Sequence, residues 1–194
     1  IQNEIERLRA KEHRATEAYA NGRISETEFV RVLAETTMES ENVERSLVAV
    51  EGLASSDSNV VFLNRLQTRL DTFDSPIRER LVATVDGSET VRVSVRASAD
   101  GYLLGLIEGG TYYREILRFD HRDPTGPKAI ESASQAVDRA AVLYPENRTQ
   151  SFVGRGSQFF GEGAYFNRFS LRFPASETRA FIDAGTGNVF FEQK

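Results

Sequence analysis

At 194 residues and 21.7 kDa the chain can hold one sizeable core or two small ones, and its 40% hydrophobic and 10% aromatic content suits a folded protein. It contains no cysteine, which removes disulfides, thiolate metal sites and cysteine nucleophiles, and no tryptophan. Only Lys11, Lys128 and Lys194 are lysines among 24 basic residues, and 29 acidic residues bring the net charge to −5, a balance that argues against a nucleic-acid partner. No run approaches the roughly 20 apolar residues needed to cross a bilayer. The first residue is Ile1 rather than Met, so an export signal or anchor is expected to lie outside these residues.

Residues 1–54 predict an antiparallel helical hairpin. Ile1, Ile5, Leu8, Glu12, Ala15 and Tyr19 recur at spacings of three and four, as do Phe29, Leu33, Thr36, Ser40, Val43, Leu47, Val50 and Ala54. Asn21-Gly22 ends the first arm; Ser25 and Glu28 form a capping box, with Ile24 and Phe29 at the positions of a hydrophobic staple. The first arm is about 28 Å long and the second about 45 Å. That mismatch predicts that the first helix continues upstream, or that the far half of the second packs on the following domain or on another copy of the chain. An exposed stripe of that length is an association site.

Beyond the linker Ser55-Ser56-Asp57-Ser58, residues 59–123 predict a helix followed by an antiparallel sheet module. Leu63, Leu66 and Leu70 mark a helix from Val60 to Phe73, and Ser75-Pro76 restarts one as N-cap and first turn. Val91, Val93 and Val95 alternate with Arg92, Ser94 and Arg96 in a strand; an Asp100-Gly101 turn, a strand over Leu103–Ile107, a Gly109-Gly110 turn and a segment to Phe119, read as strand with helix as the alternative, follow. After Pro124-Thr125-Gly126-Pro127, residues 128–194 read the same way. A helix runs from Lys128 to Pro145 with Ile130, Ala133, Val137, Ala140 and Tyr144 on one face. Strands follow near Phe152, over 166–173, 178–182 and 189–192. Gly105-Leu106-Ile107-Glu108-Gly109-Gly110-Thr111 and Ala180-Phe181-Ile182-Asp183-Ala184-Gly185-Thr186 share an order that suggests a repeat. The fold class is therefore α+β.

Two stretches resemble known families. Tyr19 to Phe29, with its Gly22-Arg23-Ile24-Ser25 corner and Glu28-Phe29, resembles the SHOCT helical hairpin, a likeness that mainly encodes a turn. From Ile130 onward, a helix and meander closing on Phe181-Ile182-Asp183-Ala184-Gly185-Thr186-Gly187 resembles a PepSY-type domain. The whole chain, with Tyr113-Arg114-Glu115, Leu143-Tyr144-Pro145 and the Asn188–Glu192 ending, resembles secreted or membrane-anchored haloarchaeal proteins that carry such a tail. The resemblance implies a location outside the cytoplasm and a non-catalytic role.

Catalytic constellations are sparse. His13 lies beside the apolar stripe as a solvated helix residue. Asp120, His121 and Asp123 offer one imidazole and two carboxylates, as a charged loop or, on the rival reading, as a hydrolytic site, but no second His stands at metal-ligand spacing. Gly154 to Gly163 lacks the spacing and context of a dinucleotide loop. Asp183 and Asn188 suit turn hydrogen bonds, with a bound cation as the alternative. No cofactor or metal site is predicted. Arg92, Arg96, Arg168 and Arg172 stand at alternating strand positions, where their guanidinium forks suit carboxylates of a peptide or protein partner, or else pair across strands with Glu89, Glu115 or Glu177. Asn147-Arg148-Thr149 matches the N-glycosylation acceptor pattern. These features together predict an extracellular or membrane-anchored interaction module, with a self-assembling surface subunit, joined through the helical hairpin, as the alternative.

Overall fold

The computed structural model describes residues 1–51, 57–88, 91–145, 157–159, 166–173 and 176–194. They form two compact units, Ile1–Tyr113 and Arg114–Lys194. Helices lead and antiparallel strands follow, so the protein is α+β.

The first unit opens with the helical hairpin, α1 (Gln2–Ala20) and α2 (Glu26–Glu51). Gly22 closes α1 at φ +67°, a left-handed backbone that only glycine enters without strain. Its N–H bonds Tyr19 O at 2.9 Å and the Arg23 N–H bonds Ala18 O at 2.8 Å, the paired bonds of a Schellman motif. The Ser25 N–H then donates to Glu28 Oε2 at 2.8 Å and the Glu28 N–H to Ser25 Oγ at 3.2 Å, completing the capping box. Donation from the Ser25 backbone and hydroxyl holds the Glu28 carboxyl below its usual range.

Most of the heptad stripe is buried, and it is buried inside the unit. Ile5, Leu8 and Leu47 join Leu63, Leu66 and Leu70 of α3 (Asp57–Leu70) and Phe73 in one core, with Val43 packed against it. The far half of α2 thus packs on the next helix, and the stripe is not the exposed association face its length suggested; among its described residues only Ile1 and Val50 are exposed. The near half of α2 meets α4 (Pro76–Val85), whose N-cap Ser75 accepts from the Arg78 N–H at 3.2 Å. Here the core is polar as well as apolar. Arg78 and Glu12 form an ion pair out of contact with water; Thr36 Oγ1 donates to Glu12 Oε1 at 2.9 Å, and Arg78 Nη2 donates to Tyr102 Oη. Phe29 lies parallel to the Tyr19 ring at 5.0 Å and edge-on to Tyr102 at 5.7 Å. Four elements, α1, α2, α4 and a strand, converge on one guanidinium.

That strand is β2 (Gly101–Glu108), paired antiparallel with β1 (Val93–Ser98) so that Ser94 opposes Gly105 and Arg96 opposes Leu103. The pleat sends Tyr102, Leu104 and Leu106 into the core and leaves Arg92, Ser94 and Arg96 outside. Gly109 and Gly110, at φ +56° and +81°, make a corner in which both central residues are left-handed, the pairing that matches strand twist. β3 (Thr111–Arg118) leaves it.

In the second unit the strands run β3-β7-β6-β5-β4, all antiparallel, with β4 (Ser157–Phe159), β5 (Phe166–Phe173), β6 (Ser176–Asp183) and β7 (Val189–Gln193). The helix expected from Lys128 begins later, at Ala133, because Ser132 caps it by accepting from the Gln135 N–H at 3.3 Å. This α5 (Ala133–Leu143) buries Ala136 and Ala140 against Ile182 and Ala184, whereas Val137, expected on that face, is exposed. Ile130 reaches the same core from an extended run, its N–H held by Ala184 O at 2.9 Å. Phe181, Phe190 and Phe191 cluster with Leu117. The strand expected near Phe152 lies outside the described residues. The two glycine corners differ in kind: the first is a two-residue turn, while the second spans Ala184–Asn188 around a buried aspartate.

Candidate functional site

The four arginines predicted to face a partner fall in different units, two in each. Arg92, immediately before β1, and Arg96, within it, are both exposed, with Ser94 between them. Among the described residues neither guanidinium has a carboxylate or hydrogen-bond partner. They border an open groove of about 690 Å³ floored by Leu103 and Gly105 and edged by Ile107 and Tyr112. Ile107 and Tyr112, on either side of the Gly109-Gly110 corner, are 74% and 48% exposed. The Tyr112 ring packs over Gly105, its hydroxyl 3.5 Å from where a Cβ would stand, an ordinary contact that a small side chain there would also make. Charge, apolar surface and the terminal strand of the sheet, whose other side packs on α1, therefore coincide on one small face.

Arg168 and Arg172 occupy β5, at register positions opposite Phe181 and Glu177. Arg168 is half-buried and engaged, and the backbone register sets Arg172 opposite Glu177. Asn147, the N-glycosylation candidate, lies outside the described residues.

The Asp120-His121-Arg122-Asp123 loop docks on the β6–β7 corner. Asp183, with no exposed surface, accepts at Oδ2 from Arg122 Nη1 at 2.8 Å and at Oδ1 from the N–H groups of Gly185, Thr186 and Asp123 at 3.0, 2.9 and 3.2 Å. Arg122 also covers the Phe190 ring, 4.4 Å from its centroid. The His121 Nδ1 lies 2.6 Å from Val189 O, and the Thr186 hydroxyl donates to His121 O at 2.8 Å. Asp120 is gripped by Arg118 at 2.8 and 2.6 Å, which holds its carboxyl below the usual range. Each of the three groups of the rival hydrolytic reading makes a contact within this corner, Asp120 with Arg118 and, at 4.0 Å, with His121 Nε2, and Asp183 accepts from two turn N–H groups, from Arg122 and from the Asp123 N–H where a cation was the alternative. The turn hydrogen bonds of Asp183 were expected from sequence, but its pairing with Arg122 of this loop was not. The only sequence signal for their pairing was an Arg flanked by polar residues just before a Pro/Gly stretch.

Asp123 in turn accepts from the Gly126 N–H at 2.7 Å and the Thr125 N–H at 3.2 Å, and these backbone donors lower its pKa. A carboxylate whose folded pKa is depressed adds stability above its unfolded pKa and loses it as pH falls through the folded value. The Gly126 amide NMR resonance is therefore expected to follow a titration whose midpoint lies below the ordinary aspartate value of about 4; a midpoint above that value would contradict the loop geometry.

Among the described residues no group of three or more His, Asp or Glu side chains could hold a metal ion, and no helix is long and apolar enough to cross a membrane. What remains is an α+β protein with an arginine-bordered sheet face. Residues 93–194 match a family of unknown function (DUF7094), and residues 1–90 match a domain of unknown function (DUF7096). The first match covers more than half of the chain, so the protein belongs to the DUF7094 family. No curated protein and no solved structure matches it.

Proposed function

We propose that the protein is a non-catalytic interaction module of the cell exterior, secreted or membrane-anchored, that takes a peptide or protein partner on the outer face and edge of β1. The observation that carries this reading is the pair Arg92 and Arg96, exposed and without partners among the described residues, beside the exposed Ile107 and Tyr112. Guanidinium groups at structural sites in this chain are engaged: Arg78, Arg80, Arg114, Arg118 and Arg122 each grip a carboxylate. Two left open beside an apolar groove suit a carboxylate-bearing partner. The PepSY-type likeness of the C-terminal ribbon supports the exterior location and the absence of turnover. Assembly through the helical stripe has less support, since the stripe is covered by α3 and α4.

The test is charge reversal. In the double variant Arg92→Glu/Arg96→Glu, with its circular dichroism unchanged, capture of a partner from the source organism's surface extract is expected to fall at least tenfold. Capture that survives reversal would remove the β1 face from the reading.

A further inference from the structure

Resting on the reading above, we infer that β1 recruits its partner by strand addition and selects an extended segment whose carboxylates stand four residues apart. Among the described residues β1 pairs with β2 alone. A strand paired on one side turns alternate N–H and C=O groups outward on the other, a template for a further strand. Arg92 and Arg96 flank Ser94 on the exposed face, about 13 Å apart at the strand rise of ~3.3 Å per residue.

A segment laid along this edge shares the pleat. Its side chains beside Arg92 and Arg96 are then also four residues apart, with one more beside Ser94. Two guanidinium forks select carboxylates at the outer positions. The central position meets a small serine, with Gly105 beyond it and the exposed Ile107 close by, which suits an apolar side chain. The recognised pattern is acid, any residue, apolar, any residue, acid, in extended conformation. A second copy of the chain fits this edge poorly, because pairing two β1 strands gathers four guanidinium groups on one face.

The probe is a capped seven-residue peptide with glutamates at its second and sixth positions, valine at the fourth and threonine elsewhere. By fluorescence anisotropy at low salt it is expected to bind the full chain at least tenfold more tightly than a peptide of identical composition with its glutamates three apart. Binding should vanish in Arg92→Glu/Arg96→Glu, and the β1 amides from Val93 to Ser98 should gain hydrogen-exchange protection. Equal binding of the two peptides, or binding without β1 protection, overturns strand addition. No binding at all also overturns it and leaves Arg92 and Arg96 as charges that keep the edge from pairing. If the peptides fail while charge reversal still abolishes capture of the surface partner, the interaction reading survives alone; if reversal leaves capture intact, both fall.

Discussion

Replacing Arg78 by methionine is expected to destabilise the first unit by about 3–5 kcal/mol, because the change strands the Glu12 carboxylate in a buried site. Glu12 would keep only Thr36 as a donor among the contacts described for it, and Tyr102 would lose the guanidinium its hydroxyl accepts from. Removing both partners reverses the outcome. In Glu12→Leu/Arg78→Met the stranded charge is gone, and stability should return to within about 1–2 kcal/mol of the native chain, since a buried ion pair and a packed apolar pair are close in free energy. Urea unfolding of the two single variants and the double variant closes the cycle. A single variant as stable as the native protein would mean that water reaches Glu12.

Asp183→Ala carries the second large effect, about 3–4 kcal/mol in the second unit. It removes the acceptor for Arg122 and for three backbone N–H groups at once, and each buried donor left without a partner costs about 1–3 kcal/mol. The corner has no slack to repair the loss. A Cβ on Gly185 would overlap the Asp123 carbonyl oxygen and lie 3.1 Å from Asp183 Oδ1, so the two loops already touch backbone to backbone. Asp183→Asn, which can still accept at one oxygen, should lose about half as much. The check is the midpoint of thermal unfolding together with the amide resonances of Gly185 and Thr186, which should lose their hydrogen-bonded shifts in the alanine variant. Retention of both would show that the turn holds itself without the carboxylate.

The helical hairpin was the most legible part of the chain because its signals are local: Gly22, Ser25 and Glu28 act within one turn of each other. The strands were legible for the same reason, with Val93 and Val95 alternating against Arg92, Ser94 and Arg96. Even the polar members of the stripe, Glu12 and Thr36, stood out at core spacing. Their partner did not, since Arg78 lies 66 residues from Glu12, and the sole hint was its placement one residue after Ile77 and three before Leu81 on the buried side of α4. The start of α5 was missed because Ile130 continues the apolar spacing of a helix while its backbone is in fact held by Ala184. Val137 was misassigned for the related reason that Ala136 and Ala140, being small, carry a weak pattern of their own. At the candidate site, arginine identity and alternation were visible in sequence. Which of the four lacks a partner depends on contacts with other strands, and those pairings are nonlocal.

The ring stack at the hairpin corner has an optical consequence. Without tryptophan, the near-ultraviolet absorption and emission of this chain come mainly from phenol rings. Tyr102 is sealed among Phe29 and Arg78, and Tyr19 lies flat on the same phenylalanine. Asymmetric, immobile phenols of this kind dominate a dichroic band, so the first unit carries its own spectroscopic label at the point where its helices and strand meet, with no dye or engineered chromophore required.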